Sequence, residues 1–159
     1  MEQNFPALRR QDRQLTQAEA CALLERCEYG VLSTVGEDGW PYGVPMSYAL
    51  VGDVIYLHCA RDAGRKCANL AACPRASFTV VGDTRVLPDK FSTEYESAIA
   101  FGTVTPAEDR KRGLLALVDK YSPDFRSQGE QYAETSLAAG EVAVYAFHIQ
   151  HLTGKARRR

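Results

Sequence analysis

Tyr29-Gly30-Val31-Leu32-Ser33-Thr34-Val35, then Gly36-Glu37-Asp38-Gly39, then Trp40-Pro41-Tyr42-Gly43-Val44-Pro45-Met46-Ser47-Tyr48: two runs rich in Val, Tyr and Thr flank a short stretch with a glycine at each end. β-Branched and aromatic residues suit a half-buried pleated surface, and Gly with Asp supplies the backbone freedom of a tight turn. The stretch reads as strand, turn, strand, with Glu37 and Asp38 as turn residues rather than paired catalytic carboxylates. The same punctuation recurs at Val51-Gly52-Asp53 and Gly82-Asp83. It predicts strands near 29–35, 40–50, 54–59, 75–81, 95–104 and 142–150.

Helical signals surround these strands. Thr16-Gln17-Ala18-Glu19 has the form of a capping box, and Ala20, Cys21, Leu23, Leu24 and Cys27 recur at helical spacing behind it. A short helix is expected over 65–72, ended by Cys73-Pro74. Another should begin near Pro106-Ala107-Glu108-Asp109, carry the stripe Leu114, Leu115, Leu117, Val118 and Tyr121, and stop at Ser122-Pro123. A further helical piece is expected over 129–138. Six short strands with mostly hairpin-length connections predict a mainly β fold, a six-stranded antiparallel barrel with helices over its openings. One domain should occupy 1–159, with a polar arm over 1–15 and a basic tail over 155–159.

With 159 residues, 45% apolar and 25% charged, the chain is an ordinary globular composition long enough to bury a core without disulfides or structural metal. A sequence pI near 6.3 does not suit a nucleic-acid partner. The dense basic run is Lys155-Ala156-Arg157-Arg158-Arg159; without its four cations, 15 basic residues face 20 acidic ones. It reads as a solvated tail. The start Met1-Glu2-Gln3-Asn4-Phe5-Pro6 lacks a cationic segment followed by an apolar one, and no stretch approaches the ~18 apolar residues of a membrane span. The expectation is a cytoplasmic protein with no membrane partner. Cys21, Cys27, Cys59, Cys67 and Cys73 form an odd set without a Cys-x-x-Cys pair, which argues against a disulfide framework or a zinc site.

Two segments could carry chemistry. Within 40–48, two prolines interrupt the strand, so it lies at a sheet edge or carries a bulge. Backbone groups around Val44 to Ser47 are then free either to meet a planar hydrogen-bonding ligand or only to blunt the edge against aggregation. In Ile55-Tyr56-Leu57-His58-Cys59-Ala60, alternation puts Tyr56 and His58 on one face and Ile55, Leu57 and Cys59 on the other. Cys59 therefore reads as structural. Beyond it, Gly64-Arg65-Lys66 sets cations at a helix start, where the dipole is itself positive. Either a phosphate accepts from them or the side chains turn into water. Gly-x-Ser-x-Gly, the P-loop and Gly-x-Gly-x-x-Gly are absent. On a strand, His148 and His151 point to opposite faces, which does not suit a joint metal site.

Tyr29 to Thr34, Pro41 to Tyr48 and Ile55 to Ala60 with Gly64-Arg65-Lys66, followed by Phe91-Ser92-Thr93, Tyr95-Glu96-Ser97, Phe101-Gly102 and Thr153-Gly154-Lys155, stand in an order similar to that of a known superfamily. The chain resembles the flavin-binding split barrels of the pyridoxamine 5'-phosphate oxidase-like superfamily, and within it the nitroimidazole-resistance branch, over about 16–155. The resemblance implies a homodimer with FMN at the subunit interface. It implies that Val44, Pro45, Met46 and Ser47 line the isoalloxazine edge with Tyr48 nearby, and that His58 and Ala60 follow the ribityl-phosphate path. Arg65 and Lys66 would hold the phosphate, and Tyr95, Glu96 and Ser97 would reach in from the partner. His58 would be the catalytic residue, a proton donor suited to its titration range.

The activity so implied is an FMN-dependent oxidoreductase passing electrons from a reduced nicotinamide or other donor to a small electrophile such as a nitroaromatic. The alternative is a non-catalytic module that holds flavin, haem or deazaflavin. The chain departs from true pyridoxamine phosphate oxidases at its end, where His151-Leu152-Thr153-Gly154-Lys155 replaces their arginine-rich pattern, so vitamin B6 oxidation is not expected. The 84–94 loop is expected to form a wall of the pocket.

Overall fold

The computed structural model describes Phe5, residues 7–61 and residues 64–158. The remainder of the expected arm at 1–4 and 6, Asp62 and Ala63, and Arg159 of the expected tail lie outside the described residues. In chain order the elements are α1 (Gln17–Arg26), β1 (Tyr29–Val35), β2 (Pro41–Ser47), β3 (Ala49–Val51), β4 (Val54–Ala60), α2 (Gly64–Ala72), β5 (Arg75–Leu87), β6 (Ser92–Pro106), α3 (Arg110–Tyr121), α4 (Arg126–Ala139) and β7 (Val142–Arg157). Among the described residues no helix is long and apolar enough to cross a membrane.

The seven strands pair antiparallel in the order β2-β1-β5-β6-β7-β4-β3. Laid flat at the usual spacing of about 4.8 Å, the two edges would stand about 29 Å apart. Yet the edge strands β2 and β3 are consecutive, with Tyr48 alone between Ser47 and Ala49, a span of at most ~7 Å. The sheet must therefore curl until its edges meet, giving a barrel split along one seam. The strand expected over 40–50 is two strands on two edges, and the count among the described residues is seven rather than six. The chain turns a corner at Tyr48, whose N–H donates to the Tyr121 hydroxyl at 2.9 Å and whose carbonyl lies 3.0 Å from it. A side chain from α3 thus does the work of a missing ladder.

Inward residues of the strands, including Leu32, Ile55, Leu57, Val80 and Ala100, fill the barrel around the rings of Tyr48, Phe78 and Phe147. These rings meet edge-on, with centroids 4.8 Å apart for Tyr48 and Phe78 and 6.3 Å for Phe78 and Phe147. Helix α1 packs Leu23 and Leu24 into the same core. Its start is the capping box expected from sequence: Thr16 Oγ1 accepts from the Glu19 N–H at 3.2 Å, and the Glu19 carboxylate accepts from the Thr16 N–H at 2.9 Å. Outside the barrel, α3 and α4 bury Leu114, Leu117 and Ala133 against Ala49, Tyr56, Val144 and Ala146. Gly113 permits that approach, since a Cβ there would lie 2.8 Å from both the Tyr56 ring and Val144.

Several boundaries differ from the sequence reading. The loop expected at 84–94 is the end of a long hairpin, with β5 and β6 paired from Thr84↔Tyr95 to Leu87↔Ser92. The register slips between Val81 and Thr84, where the Asp83 N–H donates to the Glu96 carboxylate at 3.3 Å. A bulge at Gly82-Asp83 imitates a turn in sequence while the strand continues. The basic tail is not a free, solvated segment either. β7 runs on to Arg157, placing Lys155, Ala156 and Arg157 opposite Ser97, Glu96 and Tyr95. Arg158 pairs with Glu96 at 2.9 Å and Glu19 at 3.1 Å, and Arg26 also pairs with Glu96. The buried carboxylate of Glu96 draws the cations of the chain end onto the barrel. Finally, α3 begins behind Asp109, which accepts the Arg112 N–H at 2.9 Å, and α4 begins at Arg126 rather than 129.

The Tyr48 hydroxyl donates to the Leu24 carbonyl at 2.5 Å, one of the last four carbonyls of α1, which have no partner within the helix. Replacing Tyr48 with Phe keeps the ring but leaves that carbonyl bare in the core, and should cost about 1–3 kcal/mol. Urea unfolding should show a lower midpoint at an unchanged slope; an unchanged midpoint would mean that the hydroxyl carries no such bond.

Candidate functional site

His58 stands near the end of β4, opposite Val144 of β7. The alternation read from sequence holds around it: Ile55 and Leu57 belong to the barrel core, while Tyr56 packs outward beneath α3. Between this outer face and the helical pair lies a groove of about 460 Å³. The sheet contributes Ser47 and His58, and the helices contribute Leu117, Val118, Tyr121, Phe125, Gln128 and Tyr132 among its walls. The lining is largely apolar, with a few polar groups on its rim, the composition of a small-molecule site. Although part of His58 meets solvent, burial of the remainder pushes its imidazole below the ordinary value of 6.5.

β2 bounds the groove's seam end and lies at an edge, as its prolines require. Val44 and Met46 turn inward and pack against the core, while Pro45 and Ser47 are exposed on the opposite face. Tyr48 is wholly buried, so only its backbone lies at the seam. Ala60 is exposed at the end of β4, opposite Val142.

A second cluster surrounds the start of α2. Gly64 has φ +81°, in the left-handed region that favours glycine. The helix is moored to β1 by Asn69, whose amide donates to the Thr34 hydroxyl at 3.0 Å, both side chains buried. That mooring brings Arg65 to the β1–β2 turn, where it donates to Asp38 at 2.5 Å and lies 5.8 Å from the centre of the Tyr42 ring. Asp38 has the turn role expected of it, accepting from the Trp40 N–H at 3.1 Å, and also offsets the cation beside it. Lys66 lies beside the Cys59 thiol, and Cys59 Sγ is 3.9 Å from Cys67 Sγ. Burial, and then the neighbouring Cys67, push the Cys59 thiol up to about 11.

Ser47 and His58 therefore share one groove, and Arg65 and Lys66 share one turn of α2. Tyr95 and Glu96 do not join them within a single chain. They line another groove, of about 330 Å³, with Arg85, Arg157 and Arg158. Ser97 follows on the same strand. Arg13 donates to the Tyr95 hydroxyl at 3.4 Å, and this bond lowers the phenol's pKa. Thr84, Arg85 and Glu94, expected in a wall of the main pocket, line this second groove instead. His148 and His151 have separate partners: Thr105 lies 3.2 Å from the His148 ring, and Phe5 stacks on His151 at 4.5 Å.

The sequence reading missed the helical wall. By periodicity Tyr121 belongs to an apolar stripe, and Phe125, Gln128 and Tyr132 fall in no motif. Their signal was present as aromatic residues lying off the buried stripe, for Phe125 and Tyr132 remain 61% and 63% exposed.

Comparison with known proteins adds a family and a fold. A family model described as pyridoxamine 5'-phosphate oxidase matches residues 16–156. No curated protein matches the chain. Among solved structures, the FAD and heme binding protein from Mycobacterium smegmatis is 25% identical, with a TM-score of 0.77 over 92% of this chain and 74% of that one. A protein from Bacteroides thetaiotaomicron named for 5-nitroimidazole antibiotic resistance is 22% identical, with a TM-score of 0.74 over 90% of this chain and 86% of that one. A flavocytochrome from Azotobacter vinelandii is 19% identical, with a TM-score of 0.75 over 96% and 73%. At such identities the last two likenesses show the fold alone.

The His58 environment makes its own prediction. Because burial lowers its pKa, the unfolded chain takes up a proton first as pH falls below about 6.5, so this group costs the fold stability on the acid side and has no effect above. A proton NMR titration should give His58 a midpoint below the ordinary imidazole value, and a midpoint at or above that value would contradict its desolvation.

Proposed function

The chain belongs to the pyridoxamine 5'-phosphate oxidase family, whose model spans residues 16–156, and from that premise we propose that it binds FMN and acts as an oxidoreductase toward a small electrophile such as a nitroaromatic. The observation that carries the reading is the convergence of Ser47 and His58 on one largely apolar groove, with β4 leading directly into the cationic start of α2. The residues fit the group. An edge strand leaves backbone donors and acceptors near Pro45 to Ser47 for the polar rim of a planar ring, and the groove offers apolar walls. Gly64 lets a phosphate approach the helix start, where backbone N–H groups and Lys66 can donate to it. Arg65 can join by exchanging Asp38 for the phosphate.

Bound flavin would supply the redox chemistry, accepting electrons from a reduced nicotinamide or similar donor and passing them on. The chain's own part is to bind, orient and exclude water. His58, once protonated, can give a proton to the substrate; its low pKa confines that form to acid conditions. Val44 and Met46 back the ring-facing strand from the core side, and Ala60 leaves space along the path from His58 to α2. Tyr95 and Glu96 lie on a different groove of their own chain, with Ser97 next on the same strand, so in this reading they reach the cofactor of a second copy in a homodimer. Within that reading Glu96 acts through its ion pairs. Vitamin B6 oxidation is not part of the proposal: His151 to Lys155 continue β7, with Leu152 and Gly154 buried, and present no arginine cluster.

A non-catalytic flavin or haem carrier is the second reading, favoured by the neutral imidazole of His58 in an apolar groove and by the flavin and haem names among the similar structures.

An absorption spectrum of the purified protein, with chromatography of whatever heat releases, should show FMN that bleaches with a nicotinamide donor and recovers with a nitroaromatic. FMN that binds without turnover would favour the carrier, a haem spectrum lost in His58→Ala would favour haem, and a colourless protein indifferent to added FMN would overturn the flavin reading. Lys66→Glu should weaken FMN binding about tenfold or more, the scale of a ~1.5–3 kcal/mol hydrogen bond to a charged group. With a nitroaromatic, kcat should fall as pH rises through the lowered His58 pKa, and His58→Gln should flatten that limb.

A further inference from the structure

Cys59 and Cys67 have no part in the reading above, yet their placement is not that of two independent buried thiols. Cys59 is the penultimate residue of β4 and Cys67 lies in the first turns of α2. A strand end and a helix start, eight positions apart in sequence, are brought together so that the sulfurs stand 3.9 Å from each other. Both residues are only partly buried, so a small reagent can reach them. A disulfide needs its sulfurs at about 2.05 Å, so closing the pair brings the sulfurs about 2 Å nearer. Arg65 and Lys66 immediately precede Cys67 in the same turn, and any shift of that turn toward β4 carries them with it.

We propose that Cys59 and Cys67 form a redox-active dithiol that closes to an intramolecular disulfide with a small disulfide oxidant and thereby displaces the cationic start of α2. The thiolate of one cysteine attacks the oxidant and releases one thiol; the other cysteine then attacks the mixed disulfide and releases the second. The protein loses two electrons and two protons, and the oxidant gains both as two thiol molecules. Burial keeps Cys59 largely protonated at neutral pH, so closure is slow there and is best driven at mildly alkaline pH. The effect on the cationic turn rests on the flavin reading, whereas the cross-link does not.

The test is to incubate the full chain with excess oxidised glutathione at mildly alkaline pH and to measure intact mass, tryptic cross-links and FMN affinity before and after. The expected product has lost two hydrogens, with peptide 27–61 joined to peptide 67–75. The join should vanish in Cys59→Ser and in Cys67→Ser, each of which should retain a glutathione adduct, and persist in Cys27→Ser and Cys73→Ser. Oxidised protein should bind FMN about fivefold or more weakly than reduced protein, a common size of coupling between sites, and a thiol reductant should restore it. Glutathione adducts on both cysteines of the unmodified chain without a join, or a join that survives Cys67→Ser, would overturn the dithiol. A cross-linked protein with undiminished FMN affinity would overturn the coupling. Failure of both redox forms to bind FMN, with the join intact, would remove the flavin reading and the coupling while leaving the dithiol standing.

Discussion

The closure of the sheet through a single residue is the constraint on which the rest of this structure depends. β2 and β3 lie on opposite edges of the sheet, and Tyr48 alone connects them. A corner that sharp takes the Tyr48 backbone out of any ladder, and a buried peptide group without partners is costly. Tyr121 supplies those partners from α3, and its hydroxyl also lies 2.5 Å from the Glu28 carbonyl just beyond α1. Lys120 donates to the Cys27 carbonyl at 2.7 Å, with its ammonium 3.6 Å from the centre of the Tyr48 ring. The cation serves both the negative end of α1 and an aromatic face, although burial lowers its pKa. One seam thus fixes the mutual placement of α1, α3 and the two edge strands.

The groove follows from the same seam. Once α3 is pinned by Tyr121 at one end and seated on Tyr56 through Gly113, the space beyond is bounded by Ser47, His58 and the first residues of α4. Phe125, just before α4, and Tyr132 within it remain largely exposed beside the groove rather than filling it. The cationic turn has a different origin. Asn69 and Thr34 fix α2 against β1, and Asp38 pairs with Arg65. The two halves of the candidate site are therefore held by separate anchors, Tyr121 at the seam and Asn69 on α2.

Much of this was legible in the residues. The Thr16–Glu19 capping box, the hairpin around Gly36 to Gly39, the alternation that exposes His58 and buries Ile55 and Leu57, and the edge position of a strand containing Pro41 and Pro45 all rest on local rules of backbone freedom and period. The errors were also local in origin. Gly82-Asp83 looks like a turn but is a bulge, because its pairing partner Glu96 and the arginines around that carboxylate come from remote parts of the chain. For the same reason a run of cations read as a solvated tail is the last stretch of β7.

By itself, then, the sequence determined the periodicities, the turns, the helix starts, the face of β4 on which His58 stands and the placing of Arg65 and Lys66 at a helix start, since each depends on residues within a few positions of one another. Only the tertiary structure decided that the 40–50 run divides at Tyr48, that Ser47 and His58 share a groove walled by Tyr121, Phe125 and Tyr132, that Tyr95 and Glu96 face another, and that Cys59 lies beside Cys67. Those outcomes depend on where the curled sheet brings distant side chains together, and the energy of such meetings has no local signature in the chain.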